Sequence, residues 1–461
     1  MKKSTLSLLS LALIAGCILR LIWVGDMEYK VDEQYMFERL LAVGKTEAWP
    51  WLGVASTILI RNPGMSVWVF LGLGKITGAT TPTELCRAVM LLNCAALGMI
   101  ALFARYWVEP GKSPGNFGEE REPWYWAAAL VALNPLAIHY HRKIWAQSVL
   151  PFFVMLFLMA WWKREKKWGA FFWGVVGACL GQIHMSGFFF ALGFVLWAFF
   201  WDRKQVDWLR WFLGSCLGSL TLIPWIVELV QHPTGQSAVA GWGEAVQLKF
   251  WVFWITDPLA LHLGKALGVL NGNSMWAQLA DFFRYPLIGG VPTYLVAGIH
   301  VILAVLGALI LVPGFISLIR LLVSDPRAAW KAFQGRSSPT AFTQNAAVWG
   351  YGLVITLATV HIFRFYLLIT FPLQFVWLAR MALPARTEGT AVAMSDGVAL
   401  MRSELFKMKQ AKGRSQLAAL CLAQLLLSLF FLGYIHVNHG SIRGDYGDAY
   451  HLHHRRDGSH E

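Results

Sequence analysis

Asp32 and Glu33 are adjacent carboxylates in the stretch Gly25 to Leu40, GDMEYKVDEQYMFERL, which also carries Asp26, Glu28 and Glu38. Two chemistries suit such a pair. A carboxylate can act as general base and draw the proton from a hydroxyl, or it can hold a divalent cation that does so. Asp32 is the candidate for either part, as catalytic base or as metal ligand, with Glu33 supporting it. The alternative is a solvated helix face on which all five acids simply meet water. The stretch follows the first apolar run directly, so the pair stands where the chain leaves that run.

The elements around it must position it, and composition says what they are. The chain has 461 residues, of which 57% are hydrophobic and 14% charged, with 24 Trp. Repeated long apolar runs with this balance describe an all-α polytopic membrane protein rather than a soluble domain. The formal charge of +13 then reads as loop charge that sets orientation, and not as a nucleic-acid surface. Cys17, Cys86, Cys94, Cys179, Cys216 and Cys421 all fall in apolar runs without paired spacing, which argues against both a disulfide framework and a zinc site. The first run begins with Lys2 and Lys3 and ends without a small-x-small cleavage site, so it is expected to be a retained helix.

Eleven spans are expected, at about 4–24, 86–107, 124–140, 147–162, 168–184, 186–201, 211–231, 291–320, 345–362, 365–383 and 415–435. Pro63 to Gly78 is apolar but too short to cross and is expected to lie in the interface. The run from Trp168 to Trp201 exceeds one span, and Gln182, His184 and Ser186 at its centre predict a tight outer turn. With the N-terminus inside, the larger share of Lys and Arg falls on inner loops, and the Asp32 loop lies outside. A single membrane domain follows, with outer loops 25–85 and 232–290 and an outer tail 436–461. Both loops hold amphipathic, aromatic-rich stretches, including Trp242, Phe250, Trp251, Phe253 and Trp254, expected as interfacial helices or as a lipid-chain groove. There is no repeat, phosphate loop or serine elbow.

Four fragments carry a resemblance. Val31-Asp32-Glu33-Gln34-Tyr35 follows the first helix; Arg61-Asn62-Pro63 precedes the interfacial segment; Leu220 to Pro224-Trp225 ends a middle helix; and Arg364-Phe365-Tyr366-Leu367-Leu368, with Pro372, opens a late one. In this order they resemble the GT-C membrane glycosyltransferases that use polyprenyl-phosphate sugars, and are most similar to the bacterial protein mannosyltransferases and lipid A aminoarabinose transferases. The resemblance implies a GT-C fold in a bacterial cytoplasmic (inner) membrane with an extracytoplasmic active site. It implies transfer of a hexosyl or pentosyl group from a polyprenyl-phosphate donor to a protein, lipid or glycan acceptor. Such a donor keeps its tail in the bilayer and its phosphate at the surface, so the enzyme needs a groove, a cation and a carboxylate. Arg61, Arg142, His184 and Arg364 are the cationic candidates for the phosphate, and Tyr35, His141 and Tyr366 join them as substrate-binding candidates. Membrane lipid is the other expected partner.

The departures bear on the metal. The resembling families usually carry a second acid where Gln147 stands, and an amide is a weak ligand, so a weakly bound Mg²⁺ or Mn²⁺ is the only cofactor suggested unless His139 or His141 substitutes. A lysine often seen after their fifth helix is missing, and His184 lies near that place. His451, His453, His454 and His460 read as a solvated tail with adventitious metal affinity. The rival function is a transporter or flippase of a lipid-linked substrate, against which stand the absent repeat and the polar clusters at outer helix ends.

Overall fold

In lipid every backbone polar group must find its partner within the segment, so apolar runs fold as helices and breaks need side chains to finish them. The computed structural model describes residues 3–55, 60–108, 120–232, 248–261, 281–336, 338–383, 396–441 and 446–452. Its helices are α1 (Lys3–Leu21), α2 (Val31–Ala42), α3 (Met65–Thr77), α4 (Pro82–Tyr106), α5 (Glu122–Leu133), α6 (Pro135–His141), α7 (Ala146–Trp162), α8 (Lys167–Ile183), α9 (Ser186–Asp202), α10 (Trp208–Ser219), α11 (Ile223–Gln231), α12 (Lys249–Thr256) and α13 (Leu295–Ser324). Further helical segments follow, of which Arg364–Thr370, Leu373–Ala382 and Asp396–Asn438 matter below. Three two-stranded hairpins are the only sheets among the described residues.

The protein is thus all-α and membrane-spanning in character, and most of every expected span is helical. The count of eleven is not confirmed. By length and composition four stretches of the described residues can cross a bilayer, Pro82–Tyr106, Trp208–Gln231, Leu295–Ser324 and Glu404–Asn438, and six if two bent pairs each make one span. Part of the difference is length, since α8 and α9 have 17 residues each, and part lies in breaks. The expected span 124–140 is interrupted at Asn134-Pro135, where the Asn134 side chain accepts from the Ala137 N–H at 3.0 Å and Pro135 opens α6. Between α6 and α7 the chain bends by 107°, and between Arg364–Thr370 and Leu373–Ala382 by 76°. A turn stands at His184 and Met185, between α8 and α9, where the long run was expected to turn. The short segment expected in the interface is α3, 13 residues with one buried face that includes Val67, Phe70 and Leu71. Of the aromatic stretch, Phe250 and Trp254 are buried in α12, whereas Trp242 lies outside the described residues.

Two buried arginines join the first helices. Arg20 of α1 reaches the end of α5, donating to the carbonyls of Ala132 at 2.7 Å and Val131 at 2.9 Å. Arg142, after α6, donates to the carbonyls of Leu19, Arg20, Ile22 and Trp23 at 2.6 to 3.0 Å. Each guanidinium meets carbonyls at or just beyond a helix end, where the helix itself leaves backbone acceptors open. The close approach needs Gly16, where a Cβ would lie 2.6 Å from Ala132. This rigid corner fixes where the chain leaves α1 and enters the acidic stretch.

Candidate functional site

The acidic stretch begins one turn beyond α1. Asp26 and Glu28 precede α2, and Asp32 and Glu33 sit in its first turn, where carboxylates favour the helix dipole. Glu33 caps α2, its Oε2 accepting from the Lys30 N–H at 3.1 Å. The facing wall is the bend between α6 and α7. From it Lys143 extends its ammonium to Glu28 at 2.9 Å and Glu33 at 3.6 Å, with all three side chains buried. Lys30 reaches Glu28 at 2.7 Å, and His139 Nε2 stands 3.9 Å from it. Burial pushes the Glu28 carboxyl up, yet Lys143, His139 and Lys30 together hold it below its ordinary value. Glu33 ends up raised, by burial first and by Glu28 and Asp32, against the pull of Lys143.

Asp32 is half-buried, and its Oδ2 accepts from the Trp145 indole N–H at 2.7 Å. Trp145 also lies under the Lys143 ammonium, 4.3 Å from its ring. The same ring packs edge-on against Phe365 at 4.9 Å. Through Phe365 the site continues to Tyr366 and His184, whose rings are 5.3 Å apart, with the His184 Nδ1 bonded to the Ser186 hydroxyl at 2.7 Å. Arg364 begins this segment. Its Nε lies 3.1 Å from Asp257, a carboxylate 1% exposed, and its guanidinium lies over the Phe253 ring at 4.9 Å. Burial pushes the Asp257 carboxyl up to about 7 against the pull of Arg364 and Thr256. The Asp257 backbone is itself held, its carbonyl accepting from Asn134 at 2.9 Å.

The structure therefore brings together Asp32, Glu33, His184, Arg364 and Tyr366, and separates others expected with them. Arg142 is a correction: its guanidinium is buried and committed to the carbonyls at the end of α1, which leaves it no face toward a phosphate. His141 is another, fully buried, with its Nδ1 accepting from Arg20 at 3.0 Å. Tyr35 stays on the α2 surface beneath Arg39, 4.9 Å from its ring. Arg61 is exposed beside α11, its carbonyl accepting from the Trp225 indole at 2.6 Å. Gln147 is buried at the start of α7, and its Oε1 has no hydrogen-bond partner among the described residues. The tail is not a loose terminus as far as it is described. His451 and His436 both contact the Asp26 carboxylate, at 3.2 and 2.7 Å, and the Tyr450 N–H donates to the Met27 carbonyl at 3.0 Å. His453, His454 and His460 lie outside the described residues.

Glu28, Lys143, Trp145 and Asp257 are the site residues that sequence reasoning missed. Lys143 and Trp145 stand between His141 and Gln147, and their alternation of cation and ring was the available signal. The residues at hand do not fit a firmly held divalent ion. Among the described residues no three His, Cys, Asp or Glu side chains are grouped to hold one, and Lys143 and the Trp145 indole engage Glu33 Oε1 and Asp32 Oδ2, not Asp32 Oδ1.

No family model and no curated protein sequence matches the chain. Among solved structures it is similar to the oligosaccharyltransferase of Archaeoglobus fulgidus in the apo form, at 14% identity and a TM-score of 0.46, over 93% of this chain and 56% of that one. It is also similar to ArnT from Cupriavidus metallidurans bound to undecaprenyl phosphate, at 12% identity and a TM-score of 0.49, over 94% of this chain and 77% of that one. The chain spans little more than half the length of the oligosaccharyltransferase.

Proposed function

We propose that the protein is a membrane glycosyltransferase that moves a hexosyl or pentosyl group from a polyprenyl-phosphate donor to a hydroxyl-bearing acceptor at the extracytoplasmic surface. The observation that carries this reading is the pairing of an oriented carboxylate, Asp32 held by Trp145, with a cationic segment, Arg364 to Tyr366, that meets the same indole through Phe365. A base and a phosphate-seeking cation on either side of one aromatic ring are the two groups such a displacement requires.

Asp32 Oδ1 takes the acceptor hydroxyl proton as that oxygen attacks the anomeric carbon. The bond from the anomeric carbon to the phosphate oxygen breaks, and its electron pair leaves on the polyprenyl phosphate. Arg364 neutralises the charge that develops there, and Asp257 fixes the guanidinium in place. His184 and Tyr366 line the sugar side of the same wall. Glu33 acts on Asp32 indirectly, by capping the helix that carries it. Arg61, exposed beside α11, contacts the donor phosphate or membrane headgroups at the rim. No step is routed through a metal.

The test is Asp32→Asn, which removes one charge and almost no volume. It is expected to abolish transfer from labelled polyprenyl-phosphate sugar while leaving the purified protein folded. Wild-type turnover by the variant would overturn the reading.

A further inference from the structure

We propose that the Lys143 ammonium takes the place of a divalent ion in this site, neutralising Glu28 and Glu33 from within the fold so that the acid stretch needs no metal. The catalytic consequence rests on the glycosyl-transfer reading; the cation's occupancy of the acid pair does not.

The geometry carries the occupancy. Lys143 Nζ lies 2.9 Å from Glu28 Oε2 and 3.6 Å from Glu33 Oε1, between two carboxylates that are otherwise 4% and 2% exposed. A hard divalent ion holds carboxylate oxygens at about 2.0 to 2.6 Å and seeks six or more oxygen ligands, carbonyls and waters among them. To reach these two oxygens it would have to stand where the ammonium stands. The charge balance closes without it. Glu28 and Glu33 bring at most two negative charges, and Lys143 with Lys30, 2.7 Å from Glu28, brings two positive ones. Gln147 nearby in the chain adds an amide and no charge.

The ligand count points the same way. Glu33 Oε2 is taken by the Lys30 N–H and Glu28 Oε1 by the Lys30 ammonium. Glu33 Oε1 is buried and has no hydrogen bond among the described residues, with Lys143 at 3.6 Å as its cation. That oxygen is where an added ion would bind once Lys143 were removed. Lys143 also belongs to the same bend as Trp145, and its ammonium rests over that ring while the indole holds Asp32. One short turn thus supplies both the counter-ion of the acid pair and the orientation of the base, and makes Lys143 a positioning residue for Asp32.

Mn²⁺ binding to the full-length protein, followed by electron paramagnetic resonance without donor or acceptor, tests this apart from any activity. Wild-type protein is expected to bind no Mn²⁺ below millimolar concentration. Lys143→Met is expected to gain one micromolar site, and adding Glu33→Gln is expected to remove it. Stoichiometric Mn²⁺ in the wild type, lost on Glu28→Gln, would overturn the proposal, as would a folded Lys143→Met protein that gains no site. Should Lys143→Met not fold, the wild-type titration decides alone: a bound ion overturns the proposal and none at saturating Mn²⁺ upholds it. Where transfer is measurable, chelated wild type keeps its rate, and Lys143→Met loses at least tenfold and recovers on adding Mn²⁺. A protein without transfer activity that behaves this way toward Mn²⁺ would sink the transferase reading and leave the cation assignment standing.

Discussion

Trp145→Phe isolates the bond on which the proposed base depends. The substitution removes the indole N–H that donates to Asp32 Oδ2 at 2.7 Å and keeps an aromatic ring in place. That ring still meets Phe365, 4.9 Å away in the parent, and still offers a face to the Lys143 ammonium at 4.3 Å. The swap deletes the pyrrole ring of a half-buried side chain, so the stability cost should be about 1 to 3 kcal/mol. A hydrogen bond to a charged acceptor contributes roughly 1.5 to 3 kcal/mol. If that bond holds Asp32 in its reactive orientation, the same energy appears in the barrier, and kcat falls by about 10- to 150-fold. Steady-state transfer from a labelled polyprenyl-phosphate sugar, with kcat and donor KM resolved and a thermal melt alongside, reads both quantities. The reasoning expects the loss in kcat and little change in donor KM, the signature of an interaction that matters at the transition state. A folded variant with wild-type kcat would refute it, and so would a loss confined to KM.

Arg364→Ala should weaken donor binding by about 10- to 150-fold, as loss of a charge-assisted contact does. It should also destabilise the fold by about 3 to 5 kcal/mol above neutral pH, because Asp257 is left buried and unpaired. The Arg364→Ala/Asp257→Asn protein should regain the stability without regaining the donor, which calorimetric melting and donor titration with a non-hydrolysable analogue would separate. The Asp257 carboxyl gives the pH dependence. Its value rises from 3.8 to about 7 on folding, so the fold prefers the protonated form, and its contribution to stability falls as pH rises from about 4 through 7. Below that value the protonated Asp257 no longer fixes the Arg364 guanidinium, and donor affinity should fall several-fold as pH falls through 7. In Asp257→Asn that pH step should be gone.

Much of the fold was legible because apolar runs of span length have few alternatives in lipid. The breaks were not, although Asn134-Pro135 stands in the sequence, because hydropathy sums over a window and a cap with a proline alters one turn within it. Asp32, His184, Arg364 and Tyr366, singled out by their types and by the resemblance, lie along one chain of ring contacts through Trp145 and Phe365. Arg142 misled because a cation near an outer helix end suits a phosphate and a helix C-terminus equally, and only tertiary structure says which carbonyls it meets. Asp257 gave no local signal, a single acid behind an aromatic helix, and its role arises from an Arg364 more than a hundred residues away. His451 carried a composition signal that pointed to solvent, whereas its partner Asp26 lies at the opposite end of the chain.

The central claim is the breaking of a sugar-phosphate bond at Asp32, and the fate of the donor tests it most directly. Wild-type and Asp32→Asn proteins would be reconstituted in liposomes with a set of labelled polyprenyl-phosphate hexoses and pentoses and a membrane extract as acceptor source. The account predicts that the wild type consumes at least one donor, releasing polyprenyl phosphate and moving the label to a product, and that Asp32→Asn consumes none. Equal consumption by Asp32→Asn would contradict it, as would label that crosses the bilayer still attached to its polyprenyl phosphate.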